Sequence, residues 1–101
     1  MVKILKADAE RLLADVPGEY VFRSHDGEIL KNLSELGRAL SNMSDETFAF
    51  HANAQKNDFS NWVRDVIKDE KLATELVKSP TQSEAAARVA DRINFLSKKL
   101  V

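Results

Sequence analysis

The chain has 101 residues, with 15 basic against 16 acidic side chains, two His, no Cys and a net charge of −1. That balance offers no global field for nucleic acid or an anionic membrane, and the lack of Cys removes disulfides, thiolate metal sites and a Cys nucleophile. Apolar residues at 44% and charged residues at 31% are globular proportions, so one domain spanning residues 1–101 is expected.

Met1 to Lys6 contains no apolar stretch of signal-peptide length, and no window approaches the roughly 18 apolar residues of a membrane span. The expectation is a soluble, cytoplasmic protein with no membrane contact. Ile4, Leu5, Ala9, Leu12, Leu13 and Val16 share one helical stripe, with Lys6, Asp8, Glu10 and Arg11 opposite. Pro17-Gly18 ends that helix, since Pro lacks the amide proton and Gly accepts positive φ. Tyr20-Val21-Phe22-Arg23 and Glu28-Ile29-Leu30-Lys31 have β-favouring residues around the turn Ser24-His25-Asp26-Gly27, which predicts a hairpin. A lone hairpin is marginal in water, so it must lie against helices or add a strand.

Asn32 and Glu35 have capping-box-like spacing before a helix that buries Leu33, Leu36, Ala39 and Leu40. Asn42-Met43 breaks the pattern. Ser44 caps the next helix, with Asp45 and Glu46 suited to its positive end and Phe48 and His51 further along. Asn53 to Asn57 is a polar break. Asp58 is expected to cap a helix carrying Phe59, Trp62, Val63, Val66 and Ile67 at apolar spacing. Asp69 opens a short helix with Leu72, Ala73, Leu76 and Val77, and Ser79-Pro80 stops it. Thr81-Gln82-Ser83-Glu84 is a capping box for the longest helix, which runs to about Lys99 with Ala86, Val89, Ile93, Leu96 and Leu100 on one face. Two heptads are too few for a coiled coil, so that face is expected to pack on the domain's own core. The fold class is mainly α (α+β): a compact helical domain of five to six helices with one N-terminal β-hairpin.

Candidate chemistry concentrates between Phe48 and Trp62, which holds the only Trp, three of the five Phe and one of the two His. His51, Asn53, Asn57 and Asp58 could bind a cation or activate water. Asn is a poor zinc ligand, however, and the second His, His25, sits on a turn with no His partner near it in sequence, so no metal and no cofactor is expected. Asn53 and Asn57 read as turn residues, and His51 as a half-buried ring donating to a backbone carbonyl. Ser24-His25-Asp26 has the residue types of a hydrolase triad, but consecutive residues on a tight turn cannot form the relay. Lys56, Arg64, Lys68 and Lys71 near Phe59 and Trp62 suggest nucleic-acid binding by composition. The helical register turns the two rings inward and the cations outward, and Asp65, Asp69 and Glu70 dilute the charge, so a nucleic-acid partner is not expected.

Asp26-Gly27 with Leu30 and Leu33-Ser34-Glu35-Leu36, then Phe50-His51-Ala52-Asn53, Lys56-Asn57-Asp58-Phe59, Trp62 and Asp65-Val66, resembles a small uncharacterised domain of archaeal and bacterial proteins. The similarity covers about residues 20–77, and His-x-Asn-x-x-Lys-Asn-Asp-Phe is its most specific part. The resemblance implies a recurring module with no activity attached. It implies as well that His51, Asn53, Lys56, Asn57 and Asp58 form a defined corner, either structural or ligand-binding. The functional expectation is a non-catalytic interaction or regulatory module, acting through a protein partner or self-association. The alternative is a small-ligand or ion-binding domain using the polar corner from His51 to Asp58.

Overall fold

The computed structural model describes residues 4–101. Met1 to Lys3, part of the segment read for a leader, lie outside the described residues. Six α-helices and one two-stranded hairpin follow in chain order: α1 (Lys6–Leu13), β1 (Phe22–Arg23), β2 (Ile29–Leu30), α2 (Leu33–Asn42), α3 (Asp45–His51), α4 (Asp58–Trp62), α5 (Glu70–Val77) and α6 (Gln82–Lys98). The expected mainly helical domain with an N-terminal hairpin is therefore what forms. No described helix is long and apolar enough to cross a membrane.

The hairpin is shorter than its composition suggests. Phe22 pairs with Leu30 and Arg23 with Ile29, while Tyr20 ends a short 3-10 turn over Gly18–Tyr20. Gly27 at φ +96° makes the turn, a conformation that side-chain-bearing residues rarely adopt. Helix α1 also ends early, at Leu13, before Pro17 is reached. Val16 N–H instead donates to Lys31 O at 2.8 Å, which ties the connector to the hairpin.

Helix α2 starts as expected, with Asn32 Oδ1 accepting from Glu35 N–H at 2.8 Å. Glu35 Oε1 accepts from Lys31 N–H, one residue earlier than a capping box would place it. Helix α6 lies along α2 and also meets α1 and α5. A Cβ on Gly37 would stand 3.2 Å from Val89 Cγ1, so the glycine sets the close approach of α2 and α6. Gln82 Nε2 donates to Leu40 O at 2.8 Å and Met43 O at 2.7 Å, closing the end of α2 with the start of α6.

Three readings of the apolar faces change. Leu5, expected on the α1 stripe, precedes that helix as its N-cap residue and is exposed. Val77 is exposed, because α5 turns only Leu72, Ala73 and Leu76 inward. On α6 the fully buried positions are Ala85, Val89, Arg92 and Leu96, a seam rotated from the expected one, with Ala86, Ile93 and Leu100 only half-buried. The shifted seam turns Arg92 inward. Arg92 makes a two-pronged ion pair with Asp69, Nε to Oδ2 at 2.7 Å and a terminal nitrogen to Oδ1 at 3.1 Å, with both side chains buried. Asp69 also caps α5 by accepting from Leu72 N–H at 3.1 Å.

The chain reaches Asp69 through a π-helical turn, Val63–Ile67, which replaces the expected continuation of α4. Lys68 then adopts a left-handed conformation at φ 72°, and Asp69 N–H closes back onto Val63 O at 3.0 Å. Phe22, Phe48, Phe59 and Trp62 build the aromatic centre of the core. Trp62 is buried as expected, and its Nε1 donates to Tyr20 O at 2.7 Å, joining α4 to the start of the hairpin.

Candidate functional site

Helix α3 stops at His51 because Ala52 takes an extended conformation and pairs with Asn57 in a single antiparallel bridge. Between them the chain makes a tight loop closed by Asn53 N–H to Lys56 O at 2.9 Å. Asn53 is a turn residue as expected: its Oδ1 accepts from Gln55 N–H at 3.0 Å and its Nδ2 donates to Ala49 O at 3.0 Å.

Asn57, and not Asp58, caps α4. Its Oδ1 accepts from Ser60 N–H at 3.0 Å, and its Nδ2 donates to Leu76 O at 3.3 Å, bracing the end of α5. Asn and Asp cap almost equally well, so spacing alone could not choose between adjacent positions. The extended backbone falls at Asn57, which places Asp58 inside the first turn with its carboxylate free to face α3.

That carboxylate meets His51. His51 is buried, not half-buried, and it does not donate to a backbone carbonyl. Its Nε2 accepts from His25 N–H at 2.9 Å. A backbone amide can only donate, so the ring proton sits on Nδ1 and points at Asp58 Oδ2, 3.0 Å away. Lys56 Nζ reaches the same oxygen at 2.9 Å. Burial alone would raise the Asp58 pKa; the hydrogen bonds from Lys56 and His51 and the charge of Lys56 outweigh it and hold the carboxyl below its ordinary value. The imidazole packs on the rings of Phe22, Phe50 and Phe59 at 5.0–5.3 Å. The His–Asp pair thus resembles the orienting half of a general-base dyad, but the nitrogen a base would use already holds the hairpin turn.

His51, Asn53, Lys56, Asn57 and Asp58 do come together as one corner. Only three of them share a contact, with His51 Nδ1 and Lys56 Nζ meeting at Asp58 Oδ2, while Asn53 is aimed at α3 and its own loop and Asn57 at α4 and α5. Among the described residues no three His, Asp or Glu side chains converge as metal ligands would. Sequence reasoning missed the surface that this corner supports. Phe50 is 47% exposed, although its neighbours Phe48 and His51 are buried. Its ring stacks near-parallel on the His25 imidazole at 4.0 Å, and Lys56 Nζ lies 4.7 Å from its centroid. No sequence signal connected His25 to this corner, 26 residues ahead of His51.

Beside the corner lies an open cleft of about 570 Å³ between the Ala52–Asn57 loop and the end of α5, bounded by Asn53, Gln55, Lys56, Asn61, Val77 and Pro80 among others. Comparison with protein-family models, curated proteins and solved structures returned no match, so the resemblance rests on its motif alone.

Proposed function

We propose that this domain is a non-catalytic interaction or regulatory module that docks a protein partner through Phe50 and its flanking side chains. The observation that carries the reading is the exposed Phe50 ring held in one orientation by the His25 stack, the Lys56 ammonium and the His51 edge. Aromatic side chains dominate the energetics of protein interfaces, and a side chain already ordered in the free protein loses little conformational entropy on binding. The buried His51 supports the surface from below. By accepting from His25 N–H it fixes the turn that carries the stacking imidazole.

The second reading, a small-ligand or ion site formed by His51, Asn53, Lys56, Asn57 and Asp58, has less support, because each of these groups is already hydrogen-bonded within the domain. Crosslinked capture from native lysate, run in parallel with wild type and Phe50→Ala, tests the preferred reading. Capture should fall in Phe50→Ala at unchanged secondary structure. An identical captured set in both would remove Phe50 from the interface.

A further inference from the structure

We propose that the cleft between the Ala52–Asn57 loop and the end of α5 binds an extended, uncharged peptide segment of a partner protein. The inference deepens the interaction-module reading and rests on it for the class of partner, but it shares only Lys56 with the Phe50 surface.

The cleft's volume of about 570 Å³ falls in the usual ligand-site range of roughly 300–1,000 Å³. Four carboxamides line it, and they divide into two kinds. Asn53 and Asn57 have both ends engaged by backbone groups, so they shape the wall. The Gln55 carboxamide and the Asn61 Nδ2 make no hydrogen bond to any described residue; Asn61 uses only its Oδ1, accepting from Arg64 at 3.3 Å. A carboxamide offers an acceptor and two donors on one plane. It can pair with the N–H and C=O of an extended residue much as a neighbouring strand does.

Apolar contact comes from Val77, 64% exposed, and from Pro80, both aliphatic, so the expected contact is an aliphatic side chain. The choice of an uncharged segment follows from the wall's own charge. Among the described residues Lys56 is the one ionisable group lining the cleft, and its ammonium is held 2.9 Å from the Asp58 carboxylate. Among the described residues no aromatic ring lines the cleft, so a sugar or a nucleobase would find none of them to stack on. Lys56 also covers the Phe50 ring, which makes the cleft continuous with the proposed docking surface.

The test selects a random-peptide display library on the full chain and titrates enriched peptides into isotope-labelled protein, wild type and variants. Gln55 and Asn61 are exposed, so their truncation leaves the fold intact. The expected result is an uncharged consensus with an aliphatic residue, shifted side-chain amide resonances at Gln55 and Asn61, and about tenfold weaker binding in Asn61→Ala or Gln55→Ala. A charged consensus, unmoved Gln55 and Asn61 resonances, equal affinity in the variants, or no enrichment at all would overturn it. Because Phe50 does not line the cleft, the two readings separate. Partner capture lost in Phe50→Ala with no enriched peptide overturns the cleft alone. Peptide binding lost in Asn61→Ala, with partner capture unchanged in Phe50→Ala, upholds the cleft and overturns the Phe50 reading.

Discussion

Replacing His51 by Phe separates what its ring packs from what its nitrogens hold. The substitution replaces the five-membered imidazole with a somewhat larger phenyl ring against Phe22 and Phe59, so an aromatic stays in place and no cavity is created. It removes the acceptor for His25 N–H and one donor to Asp58. A part-buried amide left without a partner costs about 1–3 kcal/mol, and the lost charge-assisted bond to Asp58 adds about 1 kcal/mol, since Lys56 still serves that carboxylate. The sum, about 2–4 kcal/mol, is a large share of the roughly 5–15 kcal/mol that stabilises a domain of this size. Urea denaturation at neutral pH should show the midpoint falling at constant slope, and hydrogen exchange should show the His25 amide losing protection. A His51→Phe variant as stable as wild type, with the His25 amide still protected, would refute the assignment of His51 as the anchor of the hairpin turn.

Asn57→Ala should cost about 0.5–2 kcal/mol, whereas Asp58→Ala should leave the amides of α4 capped; comparing amide protection in the two variants checks which residue is the cap. Trp62→Ala removes a buried indole and orphans Tyr20 O, so it should cost about 3–5 kcal/mol by chemical denaturation; a loss below about 1 kcal/mol would contradict its place in the core. Arg92→Met strands the buried Asp69 carboxylate and should cost about 3–5 kcal/mol, with Asp69→Asn in the same background recovering part of the loss. Because the folded-state pKa of Asp58 lies below its ordinary value, its ion pair adds stability that is complete above the unfolded-state pKa and is lost as pH falls through the folded one. The acid limb of a stability–pH profile should therefore be shallower in Asp58→Asn than in wild type.

The local signals in this chain were legible because they depend on neighbours in sequence. The caps at Asn32, Ser44, Asp69 and Thr81 all accept the helix amides expected of them, and Gly27 makes the turn. Trp62 and Phe59 shared an apolar stripe, and both are buried. What escaped depends on contacts between distant segments. Arg92 was no part of the expected α6 face, and it turns inward to pair with Asp69 from across the fold. His25 looked isolated until the hairpin laid its amide on His51. Phe50 had the composition of a core residue, but α3 is short and buries Thr47, Phe48 and His51, which leaves Phe50 on the outer face. Asp58 was misassigned by one residue because adjacent Asn and Asp both satisfy the capping rule, and only the backbone decides.

Stability and partner capture measured together on Phe50→Ala test most directly the proposed division of roles between a buried histidine and an exposed phenylalanine. Phe50 is half-exposed, so its truncation should lower stability by less than about 1.5 kcal/mol while abolishing crosslinked capture. A Phe50→Ala protein that melts like wild type and still captures the same partners would contradict it.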